Sequence, residues 1–356
     1  MDSVEVSLLT CSPHEEIYSL YGHSALRWHD LRQSGPTAGQ DVVFNWGLFN
    51  FDKPHFVLRF VFGLTDYELG AMPYAYFAPY YKKWGSSVTA QVLNLTGDEK
   101  RQLQRALADN LKEENRVYRY NFFYDNCSTR PRDIIERSLT GKIEWAARAD
   151  FAPTYREMVR ECNRHHDWSR FGNDLLLGVM ADRPTTRTEQ EFLPANLMQD
   201  FATAQVYENG NYRPLVKAQR TLVQPGVQMV FDDFWLTPTE VFALLLLVAL
   251  AIRCWEWRRK VRCRWWDVAL MTAQGAVGLV LFVMIFSQHP ATSLNFNILL
   301  LNPVAIAFIP SVIRKNYRLW RIVLGGMLIL WALGGLWQSY PEGFWILALC
   351  LLTREL

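Results

Sequence analysis

The sequence predicts an α+β domain outside a membrane, over residues 1–235, followed by an all-α transmembrane bundle of four to five helices, over residues 236–356. Two observations carry this prediction. The net charge of +2 divides unevenly, since residues 240–356 hold 11 basic and 5 acidic side chains and residues 1–239 hold 26 and 30. Eight of the 14 Trp also lie in the last third. With 50% hydrophobic residues, the composition excludes a disordered chain and favours two parts in different media.

The first part begins with segments that alternate between apolar and polar residues, as strands do. The predicted strands are Val4–Cys11, Ser24–His29, Val42–Phe51, Ser86–Leu95 and Val117–Phe123. Thr96 and Glu99 have the spacing of a capping box and predict a helix that runs to about Glu114. Pro131 marks a second helix that begins just after Cys127. Residues 1–140 therefore form the predicted core of the domain, and residues 141–235 are a less regular elaboration with a loop around 183–194.

Apolar stretches of different lengths predict the membrane bundle. They are Leu236–Ile252, Val268–Phe286, Phe296–Ile313, Ile322–Trp337 and Phe344–Leu352. A membrane span needs roughly 17–25 predominantly apolar residues, so the second and third stretches qualify and the first and fourth are borderline. The fifth is too short unless it tilts, re-enters the membrane or is stabilised by its neighbours.

The basic residues predict the orientation of this bundle. They crowd the connections after the first and third stretches, whereas Ser287–Asn295 and Gln338–Gly343 contain no Lys or Arg. The positive-inside rule then places residues 1–235 on the outer side. A domain of this size needs an export signal, which the residues after Met1 do not resemble, so we expect that a signal peptide has been removed.

Cys127 and His23 are the candidate reactive pair of the exported domain. A cysteine at a helix N-terminus lies where N–H groups and the helix dipole favour the thiolate, and where an oxyanion can be received. His23 follows Gly22 at a predicted strand start, which suits an exposed imidazole. By residue type alone, however, an inert core cysteine and a surface histidine are the more common outcomes.

The remaining cysteines and histidines point to no metal site. Cys11 and Cys162 share the exported part with Cys127, so at least one thiol there is unpaired, and whether Cys11 pairs with Cys162 stays open. No spacing in the chain matches a zinc pattern, and His165-His166-Asp167 lacks partners at ligand spacing.

Four motifs in the exported part carry a family resemblance. They are Leu8-Leu9-Thr10-Cys11-Ser12-Pro13, Leu20-Tyr21-Gly22-His23-Ser24-Ala25-Leu26-Arg27, Asp41-Val42-Val43-Phe44-Asn45-Trp46-Gly47 and Tyr120-Asn121-Phe122-Phe123-Tyr124-Asp125-Asn126-Cys127-Ser128-Thr129. With His289-Pro290 and Leu301-Asn302-Pro303 downstream, the chain resembles, over nearly its whole length, the Lnb family of bacterial lipoprotein N-acyltransferases. The order of His before Cys is similar to the circularly permuted papain-like group that includes lecithin–retinol acyltransferase.

The resemblance implies a permuted papain-like fold for the exported domain and a role for each motif residue. Cys127 is the implied nucleophile and His23 its base, and Asn45 is the candidate for a third residue that orients the imidazole. The residues assigned to substrate binding are Asn126, Ser128, Arg27 and Arg130. For the arginines this rests on residue type and not on the resemblance: with Arg132, they could hold a lipid phosphate or form ordinary surface ion pairs.

The implied reaction moves a fatty acyl chain from a membrane phospholipid, through a thioester, to the α-amine of the lipid-modified N-terminal cysteine of a lipoprotein. The expected partners are the phospholipid donor, the diacylated lipoprotein acceptor and the membrane, with no nucleic acid, metal or other cofactor. The expected location is the bacterial inner membrane, with residues 1–235 in the periplasm.

Two other functions remain open at the level of sequence. The first is a membrane-anchored papain-like peptidase or amidase acting on the cell wall, and the second is a non-catalytic scaffold that binds lipoproteins. The aromatic residues between Tyr74 and Trp84 also have two readings, as a surface for acyl chains or the membrane interface and as an ordinary packed helix.

Overall fold

In the computed structural model, which describes residues 1–49, 55–147, 152–228 and 234–354, the alternating segments of the first part form one antiparallel sheet. The strands of the described residues are β1 Val4–Cys11, β2 His23–Asp30, β3 Asp41–Leu48, β4 Asp66–Pro73, β5 Val88–Leu93, β6 Val117–Arg119, β7 Lys142–Glu144, β8 Gln205–Glu208, β9 Asn211–Pro214 and β10 Val216–Val223. Within those residues the main sheet has the order β10-β5-β1-β2-β3-β4-β6, and β7, β8 and β9 form a small second sheet.

Most helices of the first 203 residues cover the sheet or connect its strands, whereas the two that begin at Tyr155 and Asp167 pack with the C-terminal part. In the described residues they are α1 Phe56–Val61, α2 Tyr74–Lys83, α3 Gly97–Asn110, α4 Glu113–Arg116, α5 Thr129–Ser138, α6 Tyr155–Cys162, α7 Asp167–Leu176, α8 Arg187–Gln190 and α9 Pro194–Thr203. The predicted capping box at Thr96 and Glu99 is confirmed, with both reciprocal hydrogen bonds formed. The domain is therefore a mixed α/β structure.

The central strand β1 sends successive side chains into two cores, which fixes what lies on each face of the sheet. Val6 and Leu8 belong to a core that includes Leu103 of α3 and Ile135 of α5. Cys11 belongs to the other core, together with residues of α2. The sheet is thus covered on both sides, and the end of β1 meets α2.

Some predicted boundaries were wrong for local reasons. The strand predicted over Val117–Phe123 ends at Arg119, because the side chain of Asn121 accepts hydrogen bonds from the backbone N–H groups of Phe123 and Tyr124 and folds the chain into a turn. The strand predicted over Val42–Phe51 ends at Leu48, and the last two residues of that prediction lie outside the described residues.

The C-terminal part is helical throughout its described residues. Its helices are α10 Pro238–Arg259, α11 Arg264–Met284, α12 Asn297–Leu300, α13 Val304–Ile313, α14 Arg318–Gly334 and α15 Phe344–Leu352. Among the described residues, α10 and α11 are long and apolar enough to cross a membrane. The stretch predicted as a third continuous helix is broken between α12 and α13.

The break lies at Leu301-Asn302-Pro303, where α11 comes close. A Cβ atom at Gly278 would lie 2.4 Å from the carbonyl carbon of Asn302, so no larger residue fits there without a shift of the backbone. The side chain of Gln274 donates to the carbonyl oxygen of Leu300 at 2.7 Å, and that of Asn302 accepts from the N–H of Ala305 at 3.1 Å. These bonds replace backbone pairing lost at the break, as an apolar medium requires.

The contacts divide the chain into two compact units, and the division differs from the one expected at residue 235. One unit combines Met1–Ala152 with Thr185–Phe231, and the other combines Pro153–Pro184 with Asp232–Leu356. The segment Pro153–Pro184, expected as part of the exported elaboration, packs on the C-terminal helices instead. The N–H of Gly178 donates to the carbonyl oxygen of Ala291 at 2.7 Å, and Asn295 donates from its amide to the carbonyl oxygen of Leu175 at 2.8 Å.

Candidate active site

Cys127 lies in the turn that leads into α5, and the side chain of Asn126 holds that turn. The Asn126 amide oxygen accepts from the N–H groups of Ser128 and Thr129 at 2.8 and 3.0 Å. Its amide nitrogen donates to the carbonyl oxygens of Phe122 and Phe192 at 2.8 and 2.9 Å. Because these bonds occupy both ends of a buried amide, Asn126 fixes the backbone around Cys127, and it also lines the cavity beside the sulfur.

His23 opens β2, directly after a glycine that the geometry requires. Gly22 has φ +76°, and a Cβ atom there would lie 2.8 Å from the carbonyl oxygen of Cys11. The imidazole Nε2 lies 2.8 Å from the amide oxygen of Asn45 on β3. Since that oxygen accepts, Nε2 carries the proton and Nδ1 is the nitrogen left for the Cys127 thiol, with which His23 is also hydrogen bonded. The structure therefore brings together Cys127, His23 and Asn45.

The electrostatics of this group favour a thiolate beside an imidazolium. Burial by itself raises the pKa of Cys127, but the positive charge of His23, its hydrogen bond and the N–H groups of Ser24 and Cys127 outweigh burial and lower the pKa below that of an ordinary cysteine. Burial by itself lowers the pKa of His23, and the thiolate and Asn45 raise it in turn. The pair thus provides a nucleophile and a proton carrier.

We expect the alkylation of Cys127 to depend on pH in a way that Cys162 does not share. Its rate with iodoacetamide should rise with a midpoint below that of an ordinary thiol, because only the thiolate reacts. Burial raises the pKa of Cys162 to about 11, so that site should react only at alkaline pH and serves as an internal reference. In His23→Ala the positive charge is lost while Cys127 stays buried, so the midpoint of Cys127 alkylation should move to higher pH. Site-resolved mass spectrometry measures both; an unchanged midpoint in His23→Ala contradicts the pairing.

Few backbone donors remain near the sulfur for an oxyanion. The sequence predicted that the N–H groups of Cys127 and of its neighbours in the helix would supply them, but those of Ser128 and Thr129 bond to Asn126. The N–H groups of Ser24 and Cys127 are the ones that contact the sulfur. These two N–H groups are therefore the candidate donors to an oxyanion that forms beside the sulfur.

A cavity of about 500 Å³ opens on the sulfur, and its wall is mainly aromatic. Cys127, His23 and Asn45 line it together with rings from several elements. The aromatic lining residues are Tyr18, Tyr21, Trp46, Phe49, Tyr67, Tyr76, Phe77, Tyr80, Tyr81, Tyr120, Phe122 and Phe192. Of the two readings left open for the aromatic residues of α2, the structure thus places four of them on the cavity. Its volume and apolar wall suit a hydrophobic ligand.

The arginines predicted to bind substrate do not line this cavity. Arg27 forms a two-bond ion pair with Asp41 at 2.6 Å and lies over the ring of Tyr74. Arg130 forms a similar pair with Asp125, at 2.6 and 2.7 Å. Neither arginine is among the described residues of the cavity wall, and each already has a carboxylate partner. Ser128 is fully buried behind the nucleophile.

Tyr81 and Cys11 are site residues that the sequence reasoning did not find. The ring of Tyr81 is stacked on the His23 imidazole, with centroids 6.5 Å apart and planes 13° from parallel. Its hydroxyl is hydrogen bonded with Cys11, whose thiol is held protonated because burial raises its pKa. Cys11 lies opposite His23 in the register of β1 and β2, and the two predicted strands did not by themselves specify that register.

All six cysteines lie in the described residues, and all are free thiols. The pairing of Cys11 with Cys162 that the sequence left open is therefore not formed in the structure. Within the described ranges, no three His, Cys, Asp or Glu side chains come together as metal ligands.

Replacing Asn126 by alanine should destabilise the domain by about 2–3 kcal/mol, because it leaves the N–H groups of Ser128 and Thr129 and two carbonyl oxygens without their partner. We expect a lower apparent melting temperature and slower alkylation of Cys127. The matched control is Asn211→Ala, an exposed asparagine on β9, which should change neither. Equal melting temperatures for the two variants would show that the Asn126 bonds do not hold the turn.

The α/β domain carries a candidate thiol-dependent site, in which a thiol and an imidazole are hydrogen bonded at the wall of an apolar cavity. The same chain also has apolar helices long enough to span a membrane. Together these features define a membrane protein with a candidate thiol-dependent site. Comparison with family models finds one match in the N-terminal part of the chain and one in the C-terminal part. Residues 1–161 match the Lnb N-terminal periplasmic domain, and residues 230–356 match the Lnb transmembrane domain. The chain belongs to the Lnb family, which makes it a membrane protein with a periplasmic domain, related to lipoprotein N-acylation. Neither a curated protein nor a solved structure matches it.

Proposed function

We propose that this protein is a thiol-dependent lipoprotein N-acyltransferase. The observation that carries the proposal is the Cys127–His23 pair at the wall of an aromatic cavity. The acyl donor is a membrane phospholipid and the acceptor is the α-amine of the diacylated N-terminal cysteine of a lipoprotein. We also propose that the periplasmic domain is a permuted papain-like fold, since His23 precedes Cys127, and that the protein lies in the inner membrane after removal of a signal peptide.

The first step forms an acyl-enzyme. The Cys127 thiolate attacks the ester carbonyl carbon of the phospholipid, and the resulting oxyanion accepts hydrogen bonds from the N–H groups of Cys127 and Ser24. The carbon–oxygen bond of the ester then breaks, and the His23 imidazolium gives its proton to the leaving oxygen of the lysophospholipid. The products are a Cys127 thioester, a neutral imidazole and a lysophospholipid.

The second step returns the site to its starting state. The neutral α-amine of the lipoprotein attacks the thioester carbonyl carbon, and His23 takes the proton that the nitrogen loses as the amide forms. The carbon–sulfur bond breaks and Cys127 leaves as a thiolate, stabilised again by the imidazolium. Asn45 keeps the proton on Nε2 throughout, so that Nδ1 handles each transferred proton.

The aromatic wall explains why transfer is favoured over hydrolysis. An acyl chain that fills the cavity displaces water from the neighbourhood of the thioester, which lengthens the life of that intermediate until an amine arrives. A peptidase acting on the polar peptide of the cell wall has less use for such a wall.

The decisive experiment seeks the intermediate on the full-length protein. The purified chain is incubated with one defined phospholipid, digested and analysed by mass spectrometry, and then supplied with a synthetic diacylated lipopeptide. We expect a fatty-acyl mass on Cys127 that disappears as the lipopeptide gains the same mass. A peptidyl adduct on Cys127 with cell-wall fragments would indicate the peptidase instead. An unmodified Cys127 that still permits lipopeptide binding would indicate the scaffold.

A further inference from the structure

The cavity beside Cys127 reaches the surface between tyrosine side chains that are largely exposed. Tyr76, Tyr18 and Tyr80 all line the cavity, yet 73%, 56% and 44% of their surfaces are accessible to solvent. We call these three residues the aromatic rim. Phe77 and Tyr81, which line the same cavity from the same helix, are buried. The rim is therefore the outer edge of the cavity. Its exposed side chains are aromatic, whereas the entrance for a water-soluble substrate would favour polar groups.

The rim comes from two separate pieces of chain. Tyr76 and Tyr80 are four residues apart on α2 and so lie one above the other on one face of that helix. Tyr18 lies in the connection between β1 and β2, and its hydroxyl donates to Glu16. Rings from both pieces therefore flank the same opening.

The charges on α2 indicate what this edge meets. The helix carries no acidic residue, and its last turn presents Lys82 and Lys83, both exposed, to solvent. Tyrosines with an apolar body and a polar tip, next to lysines, are the pattern of a protein surface at the headgroup level of a membrane. Lysines next to the rings also complement anionic phospholipid headgroups.

We propose that the aromatic rim contacts the outer surface of the phospholipid bilayer and is the entrance through which a phospholipid acyl chain passes into the cavity. This inference rests on the proposed acyltransferase function and adds the route of the donor. The rings take the place of headgroup-level lipid contacts while the chain leaves the bilayer, and the lysines hold the phosphate at the edge of the opening. The acyl ester then lies between the rim and Cys127.

Photo-crosslinking in proteoliposomes tests the contact directly. Benzoylphenylalanine is placed at position 76 in the full-length protein, which is reconstituted in vesicles of phosphatidylethanolamine and phosphatidylglycerol. The matched control carries it at Tyr212 on β9, a tyrosine with 56% of its surface exposed and no place on the cavity wall. We expect phospholipid adducts at position 76 at about tenfold the yield at position 212. Equal yields, or adducts at position 76 to protein in place of lipid, would overturn the proposal.

A kinetic test separates entry from chemistry. The rate of Cys127 acylation is measured with bilayer phospholipid and with p-nitrophenyl butyrate, a water-soluble acyl donor. In Tyr76→Ser the ratio of the first rate to the second should fall by about fivefold, because only the bilayer donor needs the rim. In Tyr212→Ser the ratio should not change. An unaltered ratio in Tyr76→Ser refutes the entrance. A wild-type protein that neither donor acylates refutes the proposed function, and the crosslinking experiment then tests the membrane contact of the rim by itself.

Discussion

Replacing Cys127 by alanine is expected to lower lipoprotein N-acylation by at least about 10³-fold, because its thiolate forms the covalent bond of the first step, whereas burial keeps the neighbouring Cys11 thiol protonated by raising its pKa. The measurement is mass spectrometry of lipoprotein N-termini from cells in which the variant is the sole copy of the protein. Binding of phospholipid should survive, since the aromatic wall of the cavity is unchanged.

Two controls show whether a loss in Cys127→Ala is chemical. Cys162→Ala removes another free thiol of the extramembrane residues, one whose pKa burial raises to about 11, and should leave N-acylation as it was. Adding His23→Ala to Cys127→Ala should cause little further loss, because a base without its nucleophile has no proton to move. N-acylation that persists in Cys127→Ala would remove the acyl-enzyme from the mechanism.

The parts of the site that the sequence predicted are those in which a local pattern and a chemical role coincide. Alternation predicted β1 to the residue, and a helix start placed Cys127 at an N-terminus. Gly22 marked the turn before His23, and its positive φ explains why a glycine stands there. The partnership of Cys127 with His23 came from the family resemblance, since neither residue type indicates it alone.

The parts that the sequence did not predict depend on contacts between distant segments. Nothing near Tyr81 in the chain indicates that its ring stacks on His23, because β3 and β4 lie between them in sequence and only the sheet brings α2 back. Arg27 and Arg130 resembled phosphate ligands until their carboxylate partners, Asp41 and Asp125, were known. An arginine and its partner can only be paired when both positions in the fold are known.

The grouping of Pro153–Pro184 with the C-terminal helices was missed for the same reason. The segment is polar and precedes the first apolar stretch, so its sequence resembles the rest of the extramembrane part. Its partners include the amide side chains of Asn295 and Asn297, which donate to the carbonyl oxygens of Leu175 and Asp174. Apolar side chains of the segment, such as Phe171, also pack against the core of the C-terminal helices. Hydrophobic periodicity marks a helix face that is buried, but it does not indicate which distant segment covers that face.

Replacing Arg156 by alanine is expected to destabilise the C-terminal unit by about 3–5 kcal/mol, the usual cost of removing one partner from a buried ion pair. Arg156 has 1% of its surface exposed and bonds to the carboxylates of Asp174 and Asp182. Its guanidinium also donates to the carbonyl oxygens of Asp174, Leu177 and Gly178. Without it, two carboxylates and a turn of backbone are left buried with fewer donors.

The loss of Arg156 should also weaken contacts between this segment and the C-terminal helices, because the same backbone groups take part in both. The carbonyl oxygen of Asp174 accepts from both Arg156 and Asn297, and the N–H of Gly178 is bonded to Ala291, so loosening the turn also loosens the segment from the C-terminal helices. We expect the apparent melting temperature in detergent to fall by about 10 °C. The matched control is Arg164→Ala, which removes an exposed pair with Glu161 and should cost under about 1 kcal/mol. If the two variants melt together, the buried arginine does not hold this segment, and its other contacts with the C-terminal helices, such as the bonds of Asn295, Asn297 and Gly178, are enough to hold it.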